Sequence, residues 1–229
     1  MTNIDNHFDS DQPLAVQMRD TLYGDLPLTQ WPVGDVADDA FPWTAFADAR
    51  GAFAKGNEKQ GIAYLRHVLD APDLESRHYV EAWHHLRAHG VEPPADEAKR
   101  TLGVVVEIAL PEGLDVLAAY DDDTARYYNH AGAAIIWVGQ DEEIAAQIDT
   151  LLDAAQQIVD VIGASDEERP GPPLEGTLRL SFLTPSGIHF GEGPIDVLSQ
   201  DQLAGPAFYE ATVLLEMLIE MAEGSEEGE

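Results

Sequence analysis

Four residues of one short segment carry the side chains best suited to chemistry: His78, Glu81, His85 and His89. On a helix they fall within about 80° of one another. The i,i+4 pairs Glu81/His85 and His85/His89 are spaced so that two side chains reach one ion. Imidazole with carboxylate suits zinc, nickel or iron, so a divalent transition metal is the one cofactor the sequence nominates. His67 on the preceding segment is a further candidate ligand, and His84 points off the stripe. Glu81 does not stand in the His-Glu-x-x-His order, so no general base is placed beside these ligands. The apolar stripe of the same helix is Tyr79, Val80, Trp83 and Leu86, about 130° away. This predicts the histidines on a boundary or exposed face, where an imidazole titrates near ~6.5 and a solvated or partner-facing role is the simpler reading.

Two further groupings invite chemistry. In Pro185-Ser186-Gly187-Ile188-His189-Phe190-Gly191-Glu192 a serine, a histidine and a glutamate lie close together. A nucleophile elbow requires Gly-x-Ser-x-Gly between a strand and a helix, whereas Ser186 sits in a hairpin turn that favours Pro-Ser-Gly for backbone reasons alone. Arg126-Tyr127-Tyr128-Asn129-His130 reads as a strand with Tyr127 and Asn129 on one face and Tyr128 and His130 on the other. Tyr127, Asn129 and His130 are candidates for a ligand or partner surface. Asp121, Asp122 and Asp123 lack the spaced ligands of a calcium loop and read as a solvated hairpin tip.

These residues are positioned by elements whose periods are legible. Residues 1–43 read as a flexible acidic arm: 1–13 without periodicity, a short helix over Leu14–Tyr23, then a Pro/Gly-rich stretch whose Trp31 and Trp43 dock on the body. Residues 44–100 read as a helical module with helices over Thr44–Phe53, from Asn57 with Gln60 as a capping box, and from Leu74 to His89 with Asp73 as cap. After Arg100 the period changes from 3.6 to 2, and residues 101–224 read as an α+β domain. A meander of four strands, an amphipathic helix over Asp141–Ile162, a hairpin from Leu178 to Phe190 and a helix from Pro206 to Gly224 follow one another. The expectation is a two-layer antiparallel sheet of about six strands covered by two helices, with an acidic tail at 225–229.

Charge narrows the partners. The chain carries a formal charge of −31, spread unevenly. Residues 50–100 hold eight of the twelve Lys and Arg against eight acids and are neutral, so the segments on either side carry the whole excess. Nucleic acid and anionic membrane are poor partners for such a surface. Two readings fit it: hydration in high salt, or a basic protein partner steered in by the acidic field. A restrained nuclease or toxin is one concrete form of the second. The absence of cysteine excludes disulfides and thiol chemistry. The polar acidic start has no secretory pattern, so the expected location is cytoplasmic. The 206–223 helix has apolar residues around more than half its circumference, which predicts either a homodimer through that helix or deep burial. With no catalytic signature, the leading expectation is a non-catalytic interaction or regulatory module, and the alternative is a metal-dependent enzyme using the His78/Glu81/His85/His89 face.

Overall fold

The computed structural model describes residues 12–31, 40–139 and 141–226, with the side chains of 225 and 226 outside that description. Most of the expected disordered start, part of the extended arm and the last three residues of the acidic tail lie outside the described residues, while Ser225 and Glu226 continue the last helix. In chain order the elements are α1 (Leu14–Arg19), a 3-10 turn (Asp20–Leu22), α2 (Trp43–Ala54), α3 (Glu58–Leu69), α4 (Ser76–Ala88), β1 (Gly103–Leu110), β2 (Gly113–Tyr120), β3 (Thr124–Tyr128), β4 (Ala134–Val138), α5 (Glu142–Val161), β5 (Thr177–Thr184), β6 (Gly187–Pro194), α6 (Ile195–Leu198) and α7 (Ala204–Glu226).

The strands form one six-stranded antiparallel sheet in the order β4-β3-β2-β1-β5-β6. The meander runs outward from β1, and α5 then carries the chain back across the sheet so that β5 pairs with β1 on its other side, with Glu107 opposite Arg179. Val104 and Val106 of β1, Leu117, Tyr127 and Phe182 face α5 and α7. Asp141 caps α5 by accepting the amides of Glu143 and Ile144, and seven apolar residues of that helix are buried. Each of the six Ile, Leu and Val side chains among them contributes about 1.5–3 kcal/mol by leaving water. Ala207, Ala211, Leu214 and Leu218 of α7 join the same core. The apolar excess of α7 is therefore largely absorbed by α5 and the sheet.

The second face is covered as well. Val105, Val116, Ala118, Tyr120, Tyr128 and Leu183 pack beneath Ala15, Leu22, Tyr23 and Val80. Tyr120 donates to the carbonyl of Leu22 at 2.7 Å, so its buried hydroxyl is satisfied. β1 and β2 read as nearly continuous apolar runs because both their faces are buried. A third cluster unites Trp31 with Phe46 and Ala49 of α2, Leu65 and Val68 of α3, and Ala82, Trp83 and Leu86 of α4. Helix α4 is thus wedged between the sheet and the other module helices.

Two helix starts differ from expectation. Asn57 bonds the side chain of Gln60 at 2.7 Å and makes no side-chain cap to the backbone of α3. Asp73 adopts a left-handed conformation ahead of α4, and the amide of Ser76 is capped instead by Asp122 at 2.7 Å. The aspartate tip expected to be solvated therefore ties the β2–β3 turn to α4. On the other side of the module, Lys99 donates to the carbonyls of Val159, Asp160 and Ile162 and closes the C-terminus of α5, whose last turn holds no basic residue.

Candidate functional site

The α4 histidine face is not an exposed stripe. His78 is 4% exposed, Glu81 0% and His85 9%. The sequence alone cannot show what covers them: the segment from Leu26 to Trp31 lies against α4. His85 Nε2 lies 3.1 Å from the carbonyl of Leu26 and 2.8 Å from Glu81 Oε1. A carbonyl only accepts, so Nε2 carries the proton. Glu81 also accepts the amide of Leu26 at 3.3 Å, so this pair grips both backbone groups of one residue. Burial, with Asp25 acting the same way, pushes the Glu81 carboxyl well above its usual range. Burial holds the His85 imidazole down at about 4.

His78 sits in an aromatic box instead. Its ring is T-shaped against Trp43 at 4.7 Å and against Trp31 at 6.0 Å, with Phe46 at 6.4 Å. Neither ring nitrogen has a hydrogen-bond partner, and the same holds for Trp31 Nε1. Burial brings His78 down to about 4. His89, at the end of the helix, stacks on Phe53 at 3.9 Å and meets Glu58 at 3.2 Å. The four proposed ligands are thus split among three environments. Among the described residues, no three His, Cys, Asp or Glu side chains are placed to hold one ion.

The Tyr127, Asn129 and His130 group converges in part. Tyr127 donates to Asp115 Oδ2 at 2.8 Å, while the amide and Nδ1 of His130 both meet Asp115 Oδ1 at 2.8 Å. β3 ends at Tyr128, so the alternation that separates Tyr127 from His130 stops there, and both reach one carboxylate. Asn129 accepts the amide of Ala133 and closes the turn. The adjoining cavity, between Val106, Leu117, Tyr127, Phe208 and Leu215, holds about 20 Å³, no more than a water molecule. Hydrogen bonds thus tie Tyr127 and His130 to Asp115, while Asn129 holds the β3–β4 turn.

Ser186 and His189 do meet. Ser186 Oγ lies 3.3 Å from His189 Nε2, and His189 Nδ1 faces the carbonyl of Ile162 at 3.2 Å, which assigns the proton to Nδ1. The serine hydroxyl is shared with Thr184 at 2.9 Å. His189 is buried, and burial lowers its affinity for a proton. Glu192 turns away to Arg179. The grouping therefore lacks an acid that orients the histidine.

Sequence reasoning missed the largest polar assembly. Glu107, fully buried on β1, is paired with Arg19 and accepts from Arg179 at 3.0 Å and from the Tyr23 hydroxyl at 2.7 Å. Arg19 also donates to the carbonyl of Pro170, and Arg179 to that of Gly171, each at 2.8 Å. Arg169 bonds Asp25 and Asp20 and lies 4.1 Å over the Tyr23 ring. Burial and the Glu107 charge raise the Tyr23 hydroxyl far above its ordinary range, so it stays a donor. One signal was available: Glu107 stands between Val105 and Ala109, on a face too apolar to be solvated.

The outer layer is uniform in sign. α5 and α7 contain no Lys or Arg, and they expose Glu142, Glu143, Asp149, Asp153, Asp160, Glu216, Glu220 and Glu223. No protein-family model matches the chain, and no curated protein or solved structure is significantly similar to it.

Proposed function

We propose that the protein is a non-catalytic interaction module that binds a basic protein partner. One observation carries this reading: α5 and α7 expose a row of carboxylates and contribute no Lys or Arg. Arg19, Arg126 and Arg179 are buried, and Arg77 and Arg169 are nearly so, each bonded to a carboxylate. These five of the twelve cations are thereby withdrawn from the surface; Lys55, Lys59, Arg66, Lys99 and Arg100 stay exposed in the 44–100 module, and α5 and α7 themselves contribute carboxylates and no cation. Such a field speeds encounter with a cationic surface and fixes its orientation. The competing reading, a metal-dependent enzyme on α4, loses its support because His78, Glu81, His85 and His89 are buried or diverge.

Affinity capture with the full chain at 0.05 and 0.5 M NaCl tests the proposal. Basic proteins are expected at low salt, lost at high salt, and lost with the charge reversals Asp149→Lys, Asp153→Lys, Glu216→Lys and Glu220→Lys. Capture that ignores both salt and charge reversal would overturn it. A captured nuclease or toxin whose activity the protein suppresses would give the reading its regulatory form.

A further inference from the structure

Among the described residues, β4 is the outer strand whose edge is left unprotected. The opposite edge, β6, ends in Pro194, carries Glu192, packs against α6, and has its Ile188 carbonyl occupied by the amide of Ser165 at 2.8 Å. These are the usual devices that keep a sheet edge from pairing. β4 reads Ala-Ile-Ile-Trp-Val; α7 packs on its Ile135 and Trp137 face, but among the described residues its outer edge carries no proline, no charge and no backbone bond. Ile136 is 58% exposed and Val138 70%.

The register tells which backbone groups are open. Asn129 donates to the carbonyl of Ala133, and the pairing continues as Tyr127 with Ile135 and Ala125 with Trp137. Hydrogen-bonded pairs alternate along an antiparallel ladder. Residues 135 and 137 therefore bond to β3, and Ala134, Ile136 and Val138 aim their N–H and C=O groups outward. Their side chains share the sheet face of Arg126, opposite α5 and α7.

We infer that β4 is a self-association edge, on which a second copy of this chain pairs antiparallel about a twofold axis at Ile136. In that register Ile136 faces Ile136 and Ala134 faces Val138, so every outward N–H meets an outward C=O, about six new bonds. Ile136 and Val138 of the two copies then form one apolar ridge. The pairing joins two six-stranded sheets into one of twelve and leaves only the protected β6 edges free, so the assembly closes at two.

Charge selects this occupant. Two copies at −31 each repel wherever carboxylates meet. The stretch from Thr124 to Gln140, which includes β4, contains no Asp or Glu, so pairing along this edge sets no carboxylate of the strand against another. A basic partner finds no counter-charge on this edge and is directed to the α5/α7 layer instead. The two surfaces are separate, so failure of one leaves the other standing.

Sedimentation velocity of the full chain in 0.15 and 1 M NaCl is the test. The expected species is twice the 25.0 kDa chain mass, favoured by high salt. Ile136→Asp should halve the mass with an unchanged far-ultraviolet spectrum. Ile136→Pro removes only an outward N–H and should do the same. Met217→Glu on α7 should leave the dimer intact. Hydrogen exchange at the amides of Ile136 and Val138 should slow at least tenfold as protein concentration rises through the dimerisation range. A monomer in both salts, a dimer dissociated by Met217→Glu but not by either Ile136 variant, or open-ended growth would each overturn the inference.

Discussion

Lowering the pH from 7 to 5 should destabilise the fold through His78, and the structure sets the size of the effect. The imidazole is enclosed by Trp31, Trp43 and Phe46, and neither of its nitrogens is bonded. Burial is the main reason its proton affinity falls to about 4; Arg77 and Arg126 act the same way, while Glu75 and Asp122 act against it. In the unfolded chain the group titrates near ~6.5. Below that value the unfolded state takes up a proton that the folded state refuses, so stability is complete above about 6.5 and is lost progressively as the pH falls toward about 4. At pH 5 the deficit is about 1.5 pH units, or about 2 kcal/mol. Urea denaturation of the wild type and of His78→Phe, across pH 5–7.5, isolates this term from the relief of carboxylate repulsion that both share. The variant should lose about 2 kcal/mol less between pH 7 and 5. Nuclear magnetic resonance titration of the His78 ring protons gives a second readout. Parallel stability curves, or a ring that titrates near 6.5, would refute the reasoning.

Glu107→Gln should destabilise by about 3–5 kcal/mol in denaturant, because Arg19 and Arg179 stay buried after their shared carboxylate is neutralised. Trp31→Ala should lose about 3–5 kcal/mol, since it opens the third core and removes the ring beside His78; limited proteolysis should then cut first between residues 24 and 31. The melting temperature should rise from 0.05 to 2 M NaCl, in KCl as in NaCl, as the unpaired surface carboxylates are screened within about 8 Å at 0.15 M and closer above it; a flat or falling curve would count against the surface described.

Much of the fold was legible because its signals are local. The alternation through Val104–Leu110 and the seven-residue apolar stripe of α5 each report a period that one element carries alone. The site was less legible because its meaning depends on what lies across it. α4 shows one apolar stripe, yet its polar stripe is buried too, under a segment fifty residues earlier in the chain. Glu107 stands on an apolar face, but its partner Arg179 is 72 residues away, and only the pairing of β1 with β5 brings the two together. Tyr127 and His130 separate by a strand's period and reunite because the strand stops between them.

The Glu107 assembly also bears on the order in which the chain becomes native. Arg19 must wait for Glu107, 88 residues later, and for the carbonyl of Pro170, 151 later; Asp25 must wait for Arg169, 144 later. While the protein is being synthesised, Arg19 and Asp25 therefore lack these partners until Arg169 and Pro170 have left the ribosome, although Leu26 and Trp31 can already meet α4. Contacts so distant in sequence close slowly. For that interval the second sheet face, with Val105 and Val116, lacks part of its cover and lies open to any other chain. The high negative charge carried by every copy is then the property that keeps unfinished molecules apart.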